Sequence, residues 1–459
     1  MRDLIPALLL ALALGVAACR DAAPPAVPPA PHPPPPAAAR DDAPPVPALS
    51  PDEARALALA PPEGSGPVVH ALQKRQAAAR QDPTRLELWV QVGHAWMQKA
   101  RADADPGAVL HAEAAAAVVL ATAPRDVRAR DLYAMVLLDA HRFAEARDLA
   151  RAVLADAPDA VLAWGALSDA LLELGDFDGA LEAAQRMVDL KPGLPSYARA
   201  AWLRWLGGDV EGARTAYRLA ISAGGGAADR EPASWVLVEA AETFRLTGDL
   251  EGAEAGYALA LQHLPDYPPA LVGQARVLLA RGEAAHAVPL LERALARKPA
   301  VTTAGLLATA REAAGDADGA EEALSEAVAI GRRGDGLGLS RLYSERGLET
   351  AEALALARAE VAHRGGIATQ DALAWALYRA GRPGEARAAS DLALAHGTRD
   401  ARLLYHAGAI RVAQGQVSEG RALIEEALML APEFDPLGAP EARRLLARLR
   451  AAERSDDGA

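Results

Sequence analysis

Ten histidines, a single cysteine and many carboxylates are the residues here that could do chemistry, and their spacing does not assemble a site. No two histidines stand three or four positions apart, the spacing that puts two metal ligands on one helix face, and the nearest pair is His396 and His406. With Cys19 alone, a disulfide within the chain and a structural thiolate metal site are both excluded. No Gly-Lys dipeptide exists for a phosphate loop, and Gly334, Gly336 and Gly338 lack the dinucleotide-binding spacing. Neither a G-x-S-x-G elbow nor an S-x-x-K pair occurs. Asp316, Asp318 and Gly319 imitate half a calcium loop, but the third ligand and the distal glutamate are missing at their offsets. No catalytic residue, metal ligand or cofactor is therefore expected, and the chain is not expected to be an enzyme.

The elements that would position any site are set by a glycine that returns at nearly fixed distance. Gly175, Gly208, Gly248, Gly282, Gly315, Gly347, Gly381 and Gly415 are 33, 40, 34, 33, 32, 34 and 34 residues apart. Such a period belongs to two-helix units that bury their apolar faces only by stacking on their neighbours. Ala146, Ala180, Ala213, Ala253, Ala287, Ala320, Ala353, Ala386 and finally Gly420 recur where two helix backbones must come close. Pro124, Pro158, Pro192, Pro265, Pro299 and Pro432 end second helices, because proline donates no amide bond. Between the helices, tetrads such as GDFD, GDVE, GDLE and GDAD supply a left-handed turn, an aspartate cap and an acid in the first turn.

The unit at 159–192 is the clearest, with Trp164, Leu167, Ser168, Leu171, Gly175, Ala180, Ala184, Met187 and Pro192 in order. This register resembles the tetratricopeptide repeat, whose pattern is Trp, Leu, Gly and Tyr, then Ala, Phe and Pro. The closing units, 371–398 and 399–432, resemble those of exported bacterial tetratricopeptide proteins. The resemblance implies an all-α, right-handed solenoid of about ten units over 84–434. Capping helices are expected at 50–83, where Ser50 and Glu53 have capping-box spacing, and a closing helix and tail at 435–459. Insertions at 101–107 and 223–232 read as surface loops.

Residues 1–18 hold one early arginine and an apolar run too short to span a bilayer, the form of a secretory signal. Val16-Ala17-Ala18-Cys19 resembles the bacterial lipobox, which implies lipidation at Cys19; the competing reading is a plain signal peptide. Residues 19–49 then form a proline- and alanine-rich stalk. The expectation is an exported lipoprotein of the cell envelope, on the outer membrane facing the periplasm rather than the inner one. The net charge of −13, with 44 arginines and 4 lysines interspersed among acids, argues against nucleic acid as a partner.

In the resembled family the first helix of each unit lines the concave face. That register puts Trp202, Trp205, Trp235, Trp375, Tyr378 and Tyr405 there, with His94, Glu242, Arg245, Arg276 and Arg379 as polar members. Aromatic residues and arginine anchor binding hot spots, so a protein or peptide partner in this groove is the leading expectation. The same rings could close gaps between units instead. Trp89, Trp96 and Trp164 fall at packing positions. The alternative function is a carbohydrate-related envelope module, for polysaccharide export or cell-wall synthesis, and a spacer without ligand is a third.

Overall fold

The structure, a computed structural model, describes residues 47, 49–103, 105, 107–224 and 230–456. Among these residues it is the expected all-α solenoid, with 23 helices and no strand. Two helices precede the regular array, α1 (Pro51–Ala58) and α2 (Pro67–Gln81). The first three pairs are α3 (Leu86–Asp103) with α4 (Gly107–Leu120), α5 (Val127–Asp139) with α6 (Phe143–Asp156), and α7 (Val161–Leu174) with α8 (Phe177–Leu190). Next come α9 (Leu194–Leu206) with α10 (Val210–Gly224), α11 (Glu231–Arg245) with α12 (Leu250–His263), and α13 (Pro268–Ala280) with α14 (Ala284–Arg297). The last four are α15 (Val301–Ala313) with α16 (Ala317–Arg332), α17 (Gly336–Arg346) with α18 (Thr350–Val361), α19 (Ile367–Arg379) with α20 (Pro383–Leu394), and α21 (Ala401–Ala413) with α22 (Val417–Leu430). The long α23 (Gly438–Asp456) follows.

From α2 onward each helix packs on the next, whereas α1 packs on α4; first helices also touch the first helices of neighbouring units, from α3 with α5 to α11 with α13 and from α15 with α17 to α19 with α21. The odd-numbered helices therefore form an inner layer, and the even-numbered ones lie outside it. Small residues permit this. Ala253 and Ala287 are fully buried, Ser168 Oγ donates to the Ala180 carbonyl at 2.9 Å, and a Cβ on Gly420 would stand 2.5 Å from the Gly408 carbonyl oxygen. Trp89 and Trp96 are buried in the same layer, and Trp89 and Trp164 each donate an indole N–H to the carbonyl of the preceding proline, Pro83 or Pro158.

The calcium-like tetrads are helix caps. The side chains of Asp176, Asp209, Asp249 and Asp316 accept the amides of Gly179, Gly212, Gly252 and Gly319 at 3.0, 2.9, 2.8 and 3.0 Å. The second glycine has a steric reason, since a Cβ on Gly319 would lie 2.2 Å from the capping carboxylate of Asp316. His141 holds the turn position that glycine takes elsewhere, at φ 56°.

The array winds tightly enough for successive turns of the superhelix to touch. The amides of Gly365 and Gly366 donate to the Glu173 carbonyl at 2.9 and 3.1 Å, across nearly 200 residues of sequence. One unit further on, a Cβ on Gly208 would stand 2.3 Å from the Gly397 carbonyl oxygen, and one on Gly248 2.9 Å from that of Leu430. Phe177 stacks on His396 at 4.2 Å between ring centroids. This backbone seam joins the loops of three consecutive units to loops one turn later. Gly282, Gly315, Gly381 and Gly415 have the same left-handed backbone but no such neighbour within 4 Å.

Candidate functional site

Closure of the superhelix turns the inner face of the middle units into a cavity of about 350 Å³. Its walls come from α11, α13, α15 and α17, the start of α21, and the segment 433–437 that leads into α23. That segment lies across the inner face, and Arg245 Nη1 donates to the Phe434 carbonyl at 3.4 Å.

The register places Glu242, Arg245 and Arg276 on successive inner helices, and the structure brings them together on this wall. Arg245 Nη2 and Arg276 Nη1 stand 2.7 and 3.5 Å from the Glu242 carboxylate, and the Tyr257 hydroxyl donates to it at 2.5 Å. Burial pushes the Glu242 pKa upward, but the two guanidinium groups and the hydrogen bonds from Arg245 and Tyr257 outweigh it and hold it at about 2. Glu239, one turn back on α11, meets the opposite fate. Burial and the charge of Glu242 raise its pKa to about 8, and Arg276 only partly offsets them.

This shift has a definite sign. Glu239 in the unfolded chain ionises near pH 4.3, whereas the folded chain keeps the proton to about pH 8, so the stability attached to the protonated form is lost between those values as pH rises. Glu239→Gln is expected to leave the melting temperature unchanged below about pH 4 and to raise it progressively above, with a plateau past about pH 8. Thermal melts across that range measure it; a variant no more stable than the parent at pH 8 would contradict the burial of this carboxylate.

The aromatic set divides. Trp235 on α11 is 37% exposed and Trp202 on the adjacent α9 is partly exposed. Trp205, Trp375 and Tyr405 are each only 3% exposed, which corrects the expectation that they stand open as partner anchors. At Trp375 and Tyr405 the reason is α23 and the segment that leads into it. Glu441 of α23 accepts from the Tyr405 hydroxyl at 3.0 Å and from Arg379 Nη1 at 3.0 Å, and Phe434 packs on Tyr405 at 5.8 Å between centroids. Trp375 lies flat on His406 at 4.0 Å and on the half-buried Tyr378 at 4.8 Å. Trp205 is buried next to the seam, three residues before Gly208. His94 is half-buried, with its pKa lowered by burial and by Arg75 and Arg101. Cys19 and the lipobox lie outside the described residues.

Sequence reasoning missed one buried pair. His406 Nδ1 and Asp371 Oδ1 are 2.8 Å apart with both side chains 6% exposed, and burial, which raises the Asp371 pKa, is outweighed by the charge and hydrogen bond of His406. The two stand on neighbouring first helices, α19 and α21, but no spacing in the sequence singled them out.

Residues 132–195 and 272–335 match the sequence model of the tetratricopeptide repeat. No curated protein matches the chain. Among solved structures it is similar to PilW, described as a widely conserved type IV pilus biogenesis factor, at 18% identity and a TM-score of 0.38 over 47% of this chain and 97% of that one. A tetratricopeptide repeat protein from Parabacteroides merdae is similar at 14% identity and 0.38, over 57% and 92% of the two chains. The Cut9–Hcn1 hetero-tetramer of the APC/C is similar at 14% and 0.34, over 84% and 90%. With the repeat pattern matched in two separate segments and the same two-helix unit running through the described array, the chain belongs to the tetratricopeptide repeat family, a scaffold suited to protein–protein interaction.

Proposed function

We propose that this chain is a scaffold tethered to the cell envelope through a lipid on Cys19, binding a protein or peptide partner in envelope assembly or secretion. The observation that carries the binding half is the exposure of Trp235, and in part of Trp202, on neighbouring first helices. A large aromatic ring left in water on a concave face gives a partner apolar area to bury at little entropic cost. The middle of the groove is covered by the chain's own segment 433–437, so the partner meets the earlier units. Tethering rests on the signal-like first 18 residues and the lipobox-like sequence ending at Cys19, with the outer membrane, facing the periplasm, as the destination.

Replacing Trp202 and Trp235 by alanine is expected to weaken capture by roughly 2 kcal/mol per true hot spot, while the melting temperature changes little. The measurement is a capture from detergent-solubilised envelopes, compared between parent and double variant by mass spectrometry, with circular dichroism melts on both. Partners retained equally by the double variant would remove these rings from the site. In the same cells, Cys19→Ser is expected to abolish labelling by a palmitate analogue; equal label would end the tethering proposal.

A further inference from the structure

The cavity holds ionic groups that the protein leaves incompletely matched. Arg341 and Glu345 are one turn apart on α17, and both line the cavity. Arg341 Nη2 donates to the Ala368 carbonyl at 2.7 Å, but its Nε is buried without a hydrogen-bond partner. Among the described residues no carboxylate lies within salt-bridge distance of this guanidinium, and burial together with Arg402 lowers its pKa, which the more distant charges of Asp371 and Glu345 offset only in part. Among the described residues Glu345 has one ion pair, with Arg402 at 3.7 Å, longer than a charge-assisted hydrogen bond. Asp435 stands close enough to Glu345 to add, after burial, to the upward shift of its pKa.

The other acids of the region are committed. Glu242 is bound by Arg245 and Tyr257, the Asp400 side chain accepts the amides of Arg402 and Leu403, and that of Asp435 accepts those of Leu437 and Gly438. Arg346 is likewise tied to Glu312 and Thr309, each at 2.7 Å. Buried charge without a partner is costly, so a cavity that leaves the Arg341 guanidinium unpaired and Arg402 and Glu345 only loosely paired with each other is built to receive further charge. The volume, about 350 Å³, falls within the range of small-molecule sites and, with its roof of residues 433–437, suits a small ligand better than a long strand of polypeptide.

We propose that the cavity binds a small zwitterion, a free amino acid or a short peptide, with the ligand carboxylate on Arg341 and its ammonium on Glu345. An anion alone would leave Glu345 beside Asp435 with only its long contact to Arg402, and a cation alone would leave Arg341 unpaired. This binding is separate from capture of a partner at Trp202 and Trp235, which lie outside the cavity lining.

Isothermal titration calorimetry on the full chain tests it with two zwitterions, L-leucine and trialanine, and with two probes that each lack one charge, N-acetyl-L-leucine and L-leucinamide. The expected result is that leucine, trialanine or both bind, while the two single-charge probes bind at least about tenfold more weakly. Binding by leucine alone assigns the site to amino acids, and binding by trialanine alone assigns it to peptides. Arg341→Gln and Glu345→Gln should each weaken the bound zwitterion by at least about tenfold with helicity retained. The comparison among probes on the parent chain stands even if a variant fails to fold. No binding by either zwitterion, or equal binding by a single-charge probe, would overturn the proposal.

Discussion

Glu242→Ala is expected to lower the free energy of unfolding by about 3–5 kcal/mol, the usual cost of removing one member of a buried ion pair. Two guanidinium groups converge on this carboxylate, and its loss strands Arg245, whose side chain is only 11% exposed, on the wall of the cavity. The Tyr257 hydroxyl loses its acceptor as well. Since the folded pKa is held at about 2, the carboxylate contributes stability that is fully present above the unfolded range near pH 4.3 and is lost as pH falls through about 2. The gap between parent and variant in chemical denaturation should therefore be large at pH 7 and shrink toward pH 2. Replacing Glu242 and Arg245 together by leucine is expected to recover part of the loss, because Arg245 is then not stranded and the guanidinium still left without Glu242 is that of the more exposed Arg276. A single variant as stable as the parent would mean the network is not buried.

Gly208→Ala should be the most damaging substitution among the turn glycines. Every one of these turns has a left-handed backbone, so alanine costs about 1–2 kcal/mol of conformational strain at any of them. At Gly208 the added Cβ must also find room 2.3 Å from the Gly397 carbonyl oxygen, which forces the two superhelical turns apart and adds about 1–3 kcal/mol of overpacking cost. Gly315→Ala, with nothing within 4 Å of its Cβ, isolates the strain alone. Denaturant melts of the two variants measure the difference. Equal destabilisation would show that the loops at 208 and 397 do not meet.

What could be read from the sequence was whatever lies within one repeat. The cap at Asp316, the close approach at Ala253 and the packing of Trp89 follow from residues a few positions apart, where helix geometry fixes who faces whom. The inner-face register also brought Glu242, Arg245 and Arg276 into one group, because first helices of adjacent units stand side by side. The contacts of Glu173 with Gly365, or of Arg245 with Phe434, were not legible. They depend on a small rotation per unit summed over five to six units, and no local spacing encodes that sum. The burial of Trp375 and Tyr405 has the same origin. A closing helix was anticipated at the end of the array, but its sequence does not say that Glu441 reaches back over the inner face.

Closure of the superhelix on itself is the claim from which the cavity, its roof and the buried aromatic patch all follow. Hydrogen exchange at the amides of Gly365 and Gly366 tests it most directly, because their only acceptor in the structure is the Glu173 carbonyl, on a helix almost a full superhelical turn earlier. With the seam closed, both amides are expected to exchange slowly, at rates comparable to those of the ends of the neighbouring helices, and to speed up in Gly208→Ala as the adjoining part of the seam opens. Exchange at the rate of an open loop in the parent protein, while the amides of α7 and α19 remain protected, would contradict the closed superhelix.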